Sequence, residues 1–498
     1  MSVEDHVIHL ENGQLAADTP PAKVRAIVDA ALAHGGNGIV IHFHGGLVSY
    51  SSGMGTAEKL YTEYLDADAY PVFFVWESGL VETIKNNLGQ IAQESFFKIV
   101  WKRLVNIVMR KSGQRDTHRA GGELPPVDDS SVQEAIDKAL DDLDSGSLES
   151  TEPDVGDTLT ELSDLEVVML ENELLLDGAL TAAVEQISNG LRTPDEITAD
   201  LESRSATVRG SAATLMDLGA LNKLVDRPDP TSRGVISTAT MIKAVVSLAS
   251  SVISRFIRGR DHGFHATVVE EILRTLYVAN VGGLIWSQMK QDTHDAFGAD
   301  DQVHGGTAFL AALRTRIDAG ATPRITLVGH STGAEFVLEF LNKAASMLPS
   351  AVKYGVVFEA PASTFEKTAA TLSQHSALID GFRMFTMLDE HERNDQLVPV
   401  LYPHSLLYFV SGVVEPDADS PVVGMHRFYD AARFPDNEFP SVGVVRNFVE
   451  ESADRAVWSV TPTSAPDGRR SAATRHTEFD DEDESTIESV KYILTHGF

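Results

Sequence analysis

Cysteine is absent from the 498 residues of this chain. Disulfide bridges, thiolate metal centres and cysteine nucleophiles are therefore excluded. Positive charge is scarce: 40 Lys and Arg stand against 73 Asp and Glu, a formal net charge of -33. Such a balance argues against a nucleic-acid-binding surface and disfavours adhesion to anionic membrane. The excess acid reads as a device for solubility. No uninterrupted apolar run reaches the ~18 residues that suggest a membrane span. Residues 241–257 come nearest, but Lys243, Arg255 and several serines interrupt them, so a buried or amphipathic helix is expected there. The start, Met1 to His6, has no basic segment leading into an apolar one. No secretory signal is expected, and the expected compartment is the cytoplasm.

What is present is an apolar fraction of 43%, enough for a sizeable core. Strand and helix signals alternate at both ends of the chain. A short strand at 7–10 precedes a helix at 22–34, which Pro20-Pro21 opens and Gly35-Gly36 closes. A strand at 38–43, a helix near 56–65 and a strand at 71–76 follow. The alternation then stops. It resumes with a helix at 304–319, strands at 324–328, 354–358, 382–387 and 456–460, and a last helix at 486–494. This order implies an α/β core with a mostly parallel sheet and helices on both faces. The expected core is residues 1–79 and 303–498, split by a mainly helical insertion at 80–302. Within it, 121–165 is rich in Asp, Glu, Ser, Pro and Gly and is expected to be mobile.

The most informative stretch is Gly329-His330-Ser331-Thr332-Gly333. It follows the apolar run Ile325-Thr326-Leu327-Val328 and precedes Ala334 to Leu341, which reads as a helix. A serine on a tight strand-to-helix turn between glycines is a nucleophile elbow. Such a hydroxyl needs a base to take its proton and donors to hold the oxyanion that forms. His476 lies in the loop before the last helix, where the order serine, acid, histidine puts the base. His426 competes but comes before the last strand. The acid is expected beyond the strand 382–387. Asp389 is nearest to it and preferred; Asp395, in Asp395-Gln396-Leu397-Val398-Pro399, is the alternative, with Glu390 and Glu392 also near. His44-Gly45-Gly46-Leu47 follows an early strand. The N–H groups of Gly46 or Leu47, with that of Thr332, are expected to face the oxyanion. His44, Gly45 and His330 are expected to line the pocket; Trp286 either lines it too or, on the more economical reading, is an interfacial core tryptophan.

With this set assembled, the chain resembles the α/β-hydrolase superfamily, in its bacterial esterase and lipase-like branch. The resemblance covers about residues 5–80 and 300–498 and leaves out the insertion. It implies a serine hydrolase that cleaves a carboxylic ester of a small-molecule or lipid-like acyl substrate through an acyl-enzyme, with no metal or organic cofactor. Thioesterase and amidase chemistry use the same triad. The departures are Leu47, where the family's oxyanion motif has a third glycine, and the several carboxylates of the acid loop.

Two segments of the insertion are basic and amphipathic: 95–111 and 243–260. One reading is a lid that makes transient contact with a membrane surface. The other is an ordinary helical cap whose basic ends pair with the protein's own acids. Asp480 to Glu484 has the charge to hold a cation, but a solvated acidic loop at a helix start is the more economical reading. Two rivals to a serine hydrolase remain. His42-Phe43-His44 puts two imidazoles on one strand face, as amidohydrolase metal sites do, but the chain lacks the repeated strand–helix units of a barrel. A hydrolase fold kept as a non-catalytic interaction module is the second.

Overall fold

The computed structural model describes residues 2–46, 49–76, 80–113, 159–188, 214–217, 238–398 and 401–498. Eight strands form one sheet: β1 (Val7–Glu11), β2 (Gln14–Leu15), β3 (Ile39–Phe43), β4 (Tyr70–Trp76), β5 (Ile325–His330), β6 (Tyr354–Glu359), β7 (Ile379–Met387) and β8 (Ala456–Ser459). Their order is β2-β1-β4-β3-β5-β6-β7-β8. Only the edge strand β2 runs antiparallel. β2 has no counterpart among the expected strands. It is made by the two-residue turn Asn12-Gly13, in which both residues have positive φ, the conformation that closes a tight hairpin.

The central strands are buried along their whole length, as parallel strands covered on both faces must be. Side chains alternate between two apolar clusters. Val40, Val328 and Val357 face one, which the helices Tyr50–Asp66 and Glu484–His496 cover. Ile41, Phe43, Leu327 and Phe358 face the other, against the helix Gly333–Met347. This second cluster runs on without a break into Phe96, Trp101, Ile253 and Ile272 of the insertion. The inserted helices thus share the core of the sheet.

Between Trp76 and Ile325 the described residues carry helices and turns, with no element of the sheet. The segment 121–165 lies outside the described residues up to 158. Among the described residues one helix, Thr238–Ile257, is long and apolar enough to cross a membrane. Most of its apolar side chains are buried against neighbouring helices, and its buried Arg255 pairs with Glu270 at 2.6 Å. In the helix Ser95–Gly113, Arg103, Arg110 and Lys111 pair with Asp177, Glu173 and Glu166. These are the contacts of a packed helical layer.

Candidate active site

β5 lies between β3 and β6, so its carboxyl end opens at the middle of the sheet edge, where open α/β sheets place ligands. Ser331 is the first residue beyond it and has φ of 52°. That conformation strains a residue with a side chain. It is held from both sides: the Ser331 N–H donates to the Glu359 carbonyl at 2.8 Å, and the Ala362 N–H donates to the Ser331 carbonyl at 2.9 Å. The flanking glycines are required by contact. A Cβ on Gly333 would lie 2.0 Å from the Phe43 carbonyl oxygen, and one on Gly329 would lie 2.7 Å from that of Gly333.

The structure brings His476 to Ser331. Its Nε2 lies 2.9 Å from the Ser331 hydroxyl oxygen, and both side chains are buried. The ring is held well below its ordinary pKa, first by burial and then by the neighbouring His330, with Asp480 opposing. A neutral ring with a bare nitrogen toward the serine is what a general base requires.

The backbone of His476 is fixed at both ends. Its N–H donates to Asp395 Oδ2 at 2.8 Å, and its carbonyl accepts from His330 Nε2 at 3.1 Å. Its Nδ1 is buried with no hydrogen-bond partner. The preferred acid, Asp389, is not at that nitrogen. It starts the short helix Asp389–Glu392, and its Oδ1 accepts the Tyr408 hydroxyl at 2.7 Å. The alternative, Asp395, reaches His476 at the peptide and not at the ring. Burial raises its pKa, against the His476 N–H and Arg475. Glu392 is buried on the Ser405 hydroxyl, and burial, then Ser405 opposing and Asp395 and Asp389 adding, hold it well above the carboxylate range. Glu390 points to solvent beside His391. His426 packs edge-on against Trp458.

The turn after β3 lies directly on the elbow. A Cβ on Gly45 would be 2.9 Å from His330 Nδ1, and one on Gly46 would be 3.0 Å from Thr332 Cβ and 2.3 Å from Met289 Cε. Leu47 lies outside the described residues. Thr332 is buried, and its hydroxyl has no hydrogen-bond partner.

His44 uses both ring nitrogens within the fold. Nε2 accepts the Trp76 N–H at 3.1 Å, so Nδ1 carries the proton that it donates to the Gly45 carbonyl at 2.6 Å. Burial pushes its pKa down to about 4. The helix Tyr50–Asp66, which begins six residues before its expected start, passes so close that a Cβ on Gly53 would meet His44 Nε2 at 2.8 Å. His42 faces Tyr64 on one side and Asp480 on the other. The donors that a metal reading needs are therefore turned to partners within the fold, and no trio of His, Asp or Glu among the described residues is arranged to hold an ion.

Trp286 is buried, its indole N–H donating to Glu415 Oε1 at 2.7 Å. One turn further on the helix Leu284–Asp295, Met289 is the residue that meets Gly46. A cleft of about 1240 Å³ opens beside Ser250, Ser254, Lys290 and Lys367. Glu335 lines it, one helical turn beyond Ser331, but Ser331 does not.

Asp480 departs most from its expected place. It is not a solvated loop residue: it is 8% exposed and ion-pairs with His42 at 2.9 Å and His330 at 3.3 Å. Burial opposes charge on Asp480, yet it stays far below the carboxylate range because His330 and His42 surround it. Burial likewise lowers His330, but Asp480 outweighs it and the pKa is raised. Glu359, beside His330 in register, is pushed well above its ordinary value by burial and then by Asp480. The histidines at the ends of two buried strands were the available signal: an imidazole there needs a buried partner.

Comparison with models of known families, with curated proteins and with solved structures returned no match.

Proposed function

We propose that this chain is a serine hydrolase of the α/β-hydrolase fold, acting on carboxylic esters. The observation that carries it is the 2.9 Å contact between Ser331 and His476, residues 145 apart in sequence, with the serine on a strained strand-to-helix turn. The serine follows β5, the acids follow β7 and the histidine follows β8, the chain order expected of that fold. In the reaction Ser331 Oγ attacks the acyl carbon while His476 Nε2 takes its proton. The oxyanion forms against the Thr332 N–H and the turn at Gly46. His476 then returns the proton to the departing alkoxide, and water repeats the sequence on the acyl-enzyme. Thioesters and amides would pass through the same groups.

One observation favours a second reading. No carboxylate meets Nδ1 of His476, as would suit a hydrolase fold kept as an interaction module. A fluorophosphonate probe separates the two. The proposed hydrolase labels at one site, and labelling disappears in Ser331→Ala. Folded wild-type protein that never labels would sink the hydrolase reading.

A further inference from the structure

We infer that this protein orients its base through the backbone, and that Asp480 and His330 are the positioning residues that do so. The inference rests on the proposed roles of Ser331 and His476. In the usual arrangement a carboxylate on Nδ1 fixes the imidazole. Here that nitrogen has no partner, while both ends of the His476 residue are held.

The geometry forms a closed circuit. His330 and Ser331 are consecutive, and each holds one part of His476. Ser331 meets the ring at Nε2, and the His330 ring meets the carbonyl at 3.1 Å. A carbonyl can only accept, so His330 Nε2 carries a proton. Its Nδ1 faces Asp480 Oδ2 at 3.3 Å. Asp480 is set in turn by His42, whose Nδ1 meets the Tyr64 hydroxyl at 2.9 Å. Every member from Tyr64 to His476 is buried. Rotation of the His330 ring would release the His476 carbonyl, and Asp480 is the charged group that opposes this rotation. His42 anchors the acid to β3, the strand that also carries the Gly45–Gly46 turn.

The two ring nitrogens of His330 can be replaced separately. Gln places its amide nitrogen near the position of Nε2, so His330→Gln keeps the donor to His476 and loses the Asp480 contact. Asn reaches only the position of Nδ1, so His330→Asn does the reverse. The experiment measures p-nitrophenyl butyrate hydrolysis and fluorophosphonate labelling in wild type, Asp480→Asn, His330→Asn, His330→Gln and the double variant Asp480→Asn/His330→Gln.

A small displacement of the base costs about 10²-fold in turnover. His330→Asn and Asp480→Asn are therefore expected to lose about 10–100-fold in kcat with KM within about twofold. His330→Gln keeps the donor but loses the charge that holds it, so it falls about as far as Asp480→Asn and less far than His330→Asn, and adding Asp480→Asn to it changes little, since the link between them is already cut. Wild-type kcat in folded His330→Asn, or losses that multiply in the double variant, overturns the inference while the hydrolase reading stands. If Asp480→Asn does not fold, the contrast between the two His330 variants decides alone. Wild-type protein that neither labels nor hydrolyses removes the hydrolase reading, and this inference with it.

Discussion

Asp395 accepts the peptide N–H of His476 at 2.8 Å, while Nδ1 of the His476 ring meets no carboxylate. The two acids of the loop after β7 should therefore behave differently from a triad acid. Loss of a carboxylate on Nδ1 costs about 10⁴-fold in turnover. Asp389→Asn removes a group bonded to Tyr408 and should leave kcat within about fivefold. Asp395→Asn keeps an oxygen that accepts the His476 N–H and should lose less than Asp395→Ala. A 10⁴-fold loss in Asp389→Asn, measured with p-nitrophenyl butyrate, would return Asp389 to the ring.

The pH profile follows from the His476 environment. Burial and the neighbouring His330 hold the ring well below 6.5, against Asp480. The groups facing it are His330 from β5, Asp480 from the helix Glu478–Asp481 and, at its peptide, Asp395. A base with a depressed pKa stays neutral, and competent, to lower pH. Hydrolysis should therefore be nearly as fast at pH 5.5 as at pH 7.5, within about twofold. His330→Gln removes the charge that depresses the ring, so the acid limb should move to higher pH. An acid limb at or above pH 6.5 in the wild type, or one that moves down in His330→Gln, contradicts this account.

The two glycine contacts differ in what can yield. At Gly46 the nearest atom to an added Cβ is the end of the flexible Met289 side chain, with Thr332 at 3.0 Å behind it. At Gly333 it is backbone, the Phe43 carbonyl at 2.0 Å. Gly46→Ala should fold but shift the turn off Thr332, costing up to the ~10²–10³-fold of a lost oxyanion donor. Met289→Ala added to it should recover part of that loss. Gly333→Ala should lower stability by more than the roughly 1–3 kcal/mol of ordinary overpacking. Thermal unfolding and labelling rates of the three variants check the order. Gly46→Ala labelling at the wild-type rate would show that the turn does not serve the oxyanion.

What the sequence made legible was whatever local pattern determines. The apolar runs placed seven of the strands, and Gly329 to Gly333 placed the elbow, because a buried parallel strand and a tight turn each restrict their own residues. The partners across the fold were less legible. Closeness to β7 favoured Asp389, but the chain turns into the helix Asp389–Glu392, which directs Asp389 to Tyr408 and carries Asp395 on to His476. Asp480 sits in an acidic run that looks solvated. Its burial is set by His42 and His330, which lie 438 and 150 positions earlier in the chain. The start of the helix Tyr50–Asp66 was obscured by Gly53 and Gly55, residues that pattern reading treats as breakers; Gly53 is there to admit His44. The Asn12-Gly13 hairpin was readable and marks β2 plainly.

The insertion offers a test that does not depend on catalysis. His262 is fully buried, with Glu270 at 2.7 Å on one ring nitrogen and Asp419 at 2.9 Å on the other. Carboxylates accept, so each ring nitrogen of the bridging imidazole faces an acceptor. Arg255 at 2.6 Å from Glu270, and Arg260 on Asp419, complete the balance. Burial disfavours charge on both acids, yet His262 and Arg255 hold Glu270 down to about 2, and Arg427, His262 and Arg260 hold Asp419 down to about 2. Breaking a buried ion pair from one side costs about 3–5 kcal/mol, because the remaining charge loses its partner. His262→Gln should lose that much in urea unfolding at pH 7. For a carboxylate with a depressed folded pKa, the stabilisation is present above its unfolded value and is lost as pH falls through the folded one. In His262→Gln the two acids titrate at higher pH than in wild type and can protonate sooner. The gap between wild type and variant should therefore be full at pH 7 and shrink below about pH 4, where unfolded carboxylates take up protons. A gap that is small at pH 7, or that fails to shrink below about pH 4, would mean that His262 does not hold these two acids together.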